Sequence, residues 1–235
     1  MEPRQPTVIL LDLDDTIVDF DSGAVPAWRA VCEGTALEVG GLNADALFNA
    51  ITEVRTWYWS DPERHRVGRG NLNEATRGII EQALVRLGHN ARLAQTMADI
   101  YREYRAQGIT VFPGAIETLA RLREQGIRLG LVTNGARVEQ RAKIERFELA
   151  PYFDHILIEG ELGYGKPDER VYRAAMAALR TEPTQTWFVG DNLEWDVAAP
   201  QRLGLYTVWV DVARVGLPAN APAQPQRIVH ALSEL

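Results

Sequence analysis

The chain has 235 residues, 46% of them apolar and 24% charged, with a formal net charge of -7 at neutral pH. That length fits one large domain or two small ones with a real core, and the acidic balance argues against a nucleic-acid polymer as the main partner. Cys32 is the only cysteine, the N-terminus carries no signal-peptide pattern, and no apolar run approaches the ~20 residues that span a bilayer. An intrachain disulfide is therefore excluded, and a reducing, cytoplasmic location without a membrane partner is the expectation.

Val8 to Leu11 is a continuous apolar run that passes directly into Asp12-Leu13-Asp14-Asp15-Thr16. Such a run reads as a short parallel strand buried on both faces. Ligands of open α/β sheets bind beyond the carboxyl ends of the strands, which is where these acids fall. Residues two apart in extended chain point the same way, so Asp12 and Asp14 can address one site. Two carboxylates that close repel unless a cation lies between them, and a hard divalent ion such as Mg2+ suits oxygen ligands. In isolation, an acidic turn that caps the next helix would read the same way.

From about residue 20 to residue 107 the apolar residues recur at helical spacing. Val25, Trp28, Val31 and Cys32 form one stripe. Leu47, Ala50, Ile51, Val54, Trp57 and Tyr58 form a second, with Asn43 as N-cap. Ile79, Ile80, Ala83, Leu84 and Leu87 form a third, ended by Gly88, and Leu93, Met97, Ile100, Tyr101 and Tyr104 a fourth. The block reads as a helical bundle.

At Gly108 the pattern changes. Val111-Phe112-Pro113-Gly114 punctuates the chain, and a helix carrying Ile116, Leu119 and Leu122 ends at Gly126. Strands are predicted over Ile127 to Val132, His155 to Ile158, Trp187 to Val189 and, last, Tyr206 to Val210. Helices fall at about 136–147, after Pro167 and before Gly204, and Gly216 to Pro225 reads as a loop. Strands alternating with helices predict an α/β fold with a doubly wound parallel sheet. Residues 1–19 and 108–235 would build that core, and 20–107 an all-helical insertion.

The polar residues at the strand ends form a set. Asp12 and Asp14 follow the first strand, Thr133 and Asn134 the second, Lys166 the third, and Asp191 and Asp196 the fourth. All can converge on one crevice. The set suits phosphoryl transfer through a covalent intermediate. An aspartate can attack phosphorus if a metal shields its charge. A hydroxyl, backbone amides and a cation must hold the equatorial oxygens, and a second acid must protonate the leaving oxygen. Each residue alone also has a plain structural reading: a turn at Thr133-Asn134-Gly135, a solvated loop lysine, a helix N-cap at Asp191, a surface acid at Asp196. Together those readings require several independent coincidences. Lys143 and Lys166 are the only lysines among 25 basic residues. That bias keeps Lys where a compact ammonium is needed, and genome composition would produce it equally.

Taken in order, Asp12-Leu13-Asp14-Asp15-Thr16, Thr133-Asn134-Gly135, Lys166-Pro167-Asp168, and Gly190-Asp191 with Asp196 resemble the four motifs of the haloacid dehalogenase (HAD) superfamily. The match spans nearly the whole core, and the insertion is similar to the helical cap of that superfamily's small-molecule phosphatases. The resemblance implies a Rossmann-like core, Mg2+ as cofactor, and specific roles. Asp12 would be nucleophile and metal ligand. Asp14 would be general acid and base, with its backbone carbonyl on the metal. Thr133 and the Asn134 amide would bind phosphate oxygens, and Lys166 would bridge nucleophile and phosphate. Asp191 would be a metal ligand, and Asp196 a ligand through water or an orienting residue.

Dehalogenases of this superfamily lack the second aspartate of the first motif, because a halide leaves without a proton. Asp14 therefore points to Mg2+-dependent hydrolysis of a small phosphorylated metabolite, by a monomer or homodimer. A phosphomutase, a 2-haloacid dehalogenase and a non-enzymatic binding protein are the alternatives on the same scaffold. In similar proteins the cap excludes water and selects the leaving group. The stretch Trp57 to Asn71, rich in aromatic and basic groups between two predicted helices, is the candidate selector. Trp57 and Tyr58 also fit the apolar stripe of a core helix, and His65 between arginines fits a surface.

Overall fold

The computed structural model describes residues 5–235. Residues 1–4, part of the expected first core segment and of the N-terminus read for a signal pattern, lie outside the described residues. The chain runs β1 (Val8–Leu11), β2 (Val18–Asp19), α1 (Ala24–Glu38), α2 (Ala44–Trp59), α3 (Pro62–Gly70), α4 (Leu72–Arg86), α5 (Leu93–Gly108) and β3 (Thr110–Val111). It continues α6 (Ala115–Glu124), β4 (Arg128–Thr133), α7 (Arg137–Arg146), β5 (His155–Ile158), α8 (Glu159–Leu162), α9 (Glu169–Ala178), β6 (Thr186–Gly190), a π-helical turn (Leu193–Ala198), α10 (Ala199–Arg202), β7 (Tyr206–Val210) and β8 (Arg227–Val229). Two compact units result: residues up to Asp19 with Thr110–Leu235, and Phe20–Ile109.

The first unit holds a six-stranded sheet in the order β5-β4-β1-β6-β7-β8, parallel throughout. This is the doubly wound sheet predicted from the alternation of strands and helices. The apolar run of β1 places it between two neighbours, because all four residues are buried. Val8 and Leu10 pack with Val171, Tyr172, Ala175 and Met176 of α9, while Ile9 and Leu11 alternate to the opposite face and are equally buried. Truncating Leu10 to alanine would cost about 2–5 kcal/mol. From β1 the chain builds β4 and β5 to one side, then β6 and β7 to the other. Strand order thus reverses at β1, and a crevice beyond its carboxyl end is the site this topology prepares.

Four details depart from the sequence reading. Between β5 and Lys166 the chain makes the short helix α8, so Lys166 does not follow its strand directly. Tyr206–Val210 is not the last strand, since Arg227–Val229 adds a further parallel one beside it. Its three residues are too short for periodicity to register. Val18 and Asp19 pair antiparallel with Val111 and Thr110, where only punctuation was read. The helix expected before Gly204 is a π-helical turn continued by one turn of α10.

The second unit consists of α1 to α5. Trp28, Val31, Ile51, Val54, Ile80, Leu84 and Met97 share its core, and the Trp28 ring stacks on Tyr101 at 3.8 Å between centroids. Asn43 caps α2 by accepting from the Ala46 amide. The stretch from Trp57 to Asn71 is not a connector but largely helix. Asp61 caps α3 and Pro62 opens its first turn, an arrangement that fits a residue with no amide hydrogen. Trp57 is 46% exposed, with the Arg64 guanidinium 4.0 Å from its ring, so it does not belong to the core; Tyr58 packs against that core, partly buried. His65 meets the Trp59 ring edge-on. Among the described residues no helix is long and apolar enough to cross a membrane.

Candidate active site

The backbone amide of Asp12 donates to the Val189 carbonyl at 2.9 Å, extending the β1–β6 ladder one residue past the strand. The Leu13 carbonyl then accepts from the amides of Ile17 and Val18, and Asp15 adopts φ 56° to close this turn. The turn holds Asp12 and Asp14 together at the carboxyl end of β1.

Lys166 lies at the centre. It is 1% exposed, and its Nζ is 2.7 Å from Asp12 Oδ1 and 2.7 Å from Asp196 Oδ1. Its backbone is fixed as firmly as its head. Asn134 Oδ1 accepts from the Lys166 amide at 2.7 Å, and Asn134 Nδ2 donates to the Lys166 carbonyl at 2.6 Å. Glycine is required next door: a Cβ at Gly165 would lie 2.8 Å from the Glu159 Cβ and closer still to the Asn134 side chain. The Lys166–Pro167 bond is cis.

Asp196 is fully buried in the π-helical turn. Its second oxygen accepts from the Asn192 amide at 3.0 Å, while Asn192 Oδ1 caps the amides of Glu194 and Trp195. One carboxylate oxygen each from Asp12, Asp191 and Asp196 lies within 4.8 Å of the others. Burial pushes Asp12 up to about 7, with Lys166 opposing and Asp196 adding to the rise. Burial and then the charges of Asp12 and Asp196 push Asp191 up to about 9. Burial alone would lower Lys166, but Asp12 and Asp196 reverse this and hold the ammonium above its ordinary value. Three acids around one ammonium form a hard, oxygen-rich donor set with excess negative charge, and it fits a divalent cation.

Thr133 ends β4 and Asn134 follows it, and Thr133 Oγ1 accepts from Gln140 Nε2 at 2.6 Å. The Gly135 amide donates to Glu159 Oε2. Asp14 is met by two side chains the sequence reading did not place at the site. Lys143 Nζ is 2.6 Å from each of its carboxylate oxygens, and Gln140 Nε2 donates to Oδ2 at 3.0 Å. The signal for both was present. They lie three apart on α7, the helix that opens just after Thr133-Asn134-Gly135, and Lys143 is one of two lysines in an arginine-rich chain. Both lysines therefore meet an aspartate of the Asp12-Leu13-Asp14 run.

A parallel sheet with reversing strand order, acids beyond its central strand and a buried lysine between them define a doubly wound α/β protein with an acidic site at its switch point. Residues 6–204 match the haloacid dehalogenase-like hydrolase family, and the chain belongs to it. It is 32% identical to a phosphoserine phosphatase of Thermus thermophilus, over 97% of each chain. It is 28% identical to a glyceraldehyde 3-phosphate phosphatase of Pyrococcus furiosus, over 88% of this chain and 81% of that one. The HAD-hydrolase YfnB of Bacillus subtilis, solved bound to magnesium, shares the fold with a TM-score of 0.75 at 22% identity, over 98% of this chain and 97% of that chain.

Proposed function

We propose that the chain is a phosphatase that hydrolyses a small soluble phosphomonoester in two steps through Asp12. Relatives that act on small phosphorylated metabolites support the reaction class. The observation that carries it is the buried Asp12–Lys166–Asp196 triad beside Asp191, with a second carboxylate, Asp14, at the same strand end.

In the first step an Asp12 oxygen attacks phosphorus, the bond to the leaving oxygen breaks, and Asp14 supplies that oxygen's proton. In the second, water attacks the phosphoryl-aspartate, Asp14 takes its proton, and phosphate departs with Asp12 restored. Lys166 Nζ binds Asp12 and would bind an equatorial oxygen of the phosphoryl group, with the Thr133 hydroxyl and the Asn134 backbone amide on the other oxygens. Asp12, Asp191 and the Asp14 carbonyl would hold Mg2+, and Asp196 would orient Lys166 and the Asn192 loop. Bound Mg2+ supplies charge neutralisation between the nucleophile and the phosphate. Asp14 also separates this reading from dehalogenation, where the departing halide requires no proton. The helical unit Phe20–Ile109, inserted directly after β2, would serve as the cap that selects the leaving group.

The test is p-nitrophenyl phosphate hydrolysis with and without Mg2+, by wild type and Asp12→Asn. Metal-dependent turnover that disappears in the variant is expected. Full activity in the variant would remove Asp12 as nucleophile.

A further inference from the structure

We infer that Lys143, with Gln140, is a positioning residue that fixes the Asp14 carboxyl group for proton transfer in both half-reactions; the inference rests on the phosphatase reading above. A lysine on a helix that packs on a sheet ordinarily extends to water. Lys143 instead is 8% exposed and directs Nζ at Asp14, 2.6 Å from each oxygen. An ammonium can donate to either oxygen, so the grip persists whichever of the two carries the proton. The Gln140 amide reaches Asp14 Oδ2 at 3.0 Å, Thr133 Oγ1 at 2.6 Å and the Asn134 carbonyl at 2.7 Å. The carboxyl group that moves the proton is thereby joined to the β4 end that would receive the phosphate.

Asp14 lies within a turn whose next residue, Asp15, is left-handed, and support from outside that turn keeps its side chain in one rotamer. Helix α7 supplies the support from two positions on one face, 140 and 143. The pair touches neither phosphorus nor leaving group; it acts through Asp14. Residues that orient a reacting group in this way commonly contribute about 10–100-fold.

The experiment separates the half-reactions. p-Nitrophenolate leaves without a proton, so phosphorylation of Asp12 by p-nitrophenyl phosphate does not depend on Asp14, whereas hydrolysis of the phosphoryl-aspartate does. An alkyl phosphomonoester needs the proton in the first half-reaction as well. Lys143→Met, loaded with Mg2+ and checked for folding by thermal melting, should release one equivalent of p-nitrophenolate in a burst within about threefold of the wild-type phosphorylation rate. Its steady-state rate should then fall about 10–100-fold, and an alkyl ester should give no burst.

A burst slowed in parallel with the steady state would show a generally distorted site and overturn the inference. So would a variant with both phases at wild-type rates. Lys143→Gln, which keeps a hydrogen bond without the charge, should lie between the two and serves if the Met variant does not fold. Wild type and Asp12→Asn run alongside: loss of the burst only in Asp12→Asn supports the phosphatase reading. A wild type that forms no phosphoryl-enzyme overturns that reading and this inference together.

Discussion

A Cβ at Gly190 would lie 2.6 Å from the Cβ of Asp196, and closer still to its carboxyl group. Strand β6 therefore ends on the one residue that lets the π-helical turn fold Asp196 back beneath it, within reach of Lys166. Gly190→Ala should push Asp196 outward. We expect a loss of about 1–3 kcal/mol in urea unfolding, the usual cost of overpacking. The Mg2+ concentration needed for half-maximal activity should rise about 10–100-fold, as when a residue behind a metal ligand is displaced. A wild-type urea midpoint and wild-type Mg2+ requirement would mean that Asp196 tolerates the displacement.

Lys166 satisfies two buried carboxylates at once, so its removal should cost more than one ion pair would suggest. Lys166→Met leaves Asp12 and Asp196 without their shared ammonium, and breaking a buried pair from one side costs about 3–5 kcal/mol. The loss should deepen between pH 5.5 and 8 in metal-free protein, because Lys166 opposes the rise at Asp12 and without it the folded state resists ionisation further. Urea unfolding at the two pH values reads this directly. Equal losses at both would assign the destabilisation to packing rather than charge.

The sheet and the motif residues were legible because each strand here is a short apolar run ending in polar residues of distinct type. Asp12, Thr133 and Asp191 mark strand ends, whereas Lys166, expected directly after the third strand, lies beyond the short helix α8 that follows β5. The grip on Asp14 was not, because Gln140 and Lys143 lie on a helix whose charged sequence gives almost no apolar stripe to orient it. Only the fold shows which of its faces turns inward. Strand β8 and the β2–β3 pair were missed for another reason: two or three residues carry no period. Helical spacing also fits Trp57 to a core stripe, yet it lies exposed in the last turn of α2, where Arg64 from the next helix covers its ring.

Asn134 offers a test of how the strand-end loops are joined. Its side chain bonds both the amide and the carbonyl of Lys166, so it clamps the peptide that carries the lysine. Asn134→Ala removes two hydrogen bonds, each contributing about 0.5–1.5 kcal/mol. Since the Asn134 backbone remains, any direct contact of its amide with phosphate is retained. We expect kcat to fall at least tenfold with a smaller change in KM, because Lys166 loses its fixed position while the backbone amides proposed to bind phosphate remain. A rise in KM at unchanged kcat would place the Asn134 side chain in ground-state binding instead.

Metal and pH should be linked through Asp12 and Asp191. Burial raises both, to about 7 and about 9, from an ordinary 3.8. Groups raised in the folded state contribute stability that is fully present below their ordinary value and is lost as pH climbs through the raised values. Metal-free protein should therefore lose stability progressively from about pH 4 to pH 9. A cation bound by these oxygens favours their ionised forms and must offset that loss, so the melting-temperature gain from Mg2+ should be small at pH 5.5 and grow through pH 7 to pH 8.5. Saturation at a hundredfold excess over the dissociation constant would add about 2.7 kcal/mol at any one pH. EDTA should reverse the gain, and Asp191→Asn should abolish most of it. A gain independent of pH, or one retained in Asp191→Asn, would locate the stabilising ion away from these carboxylates.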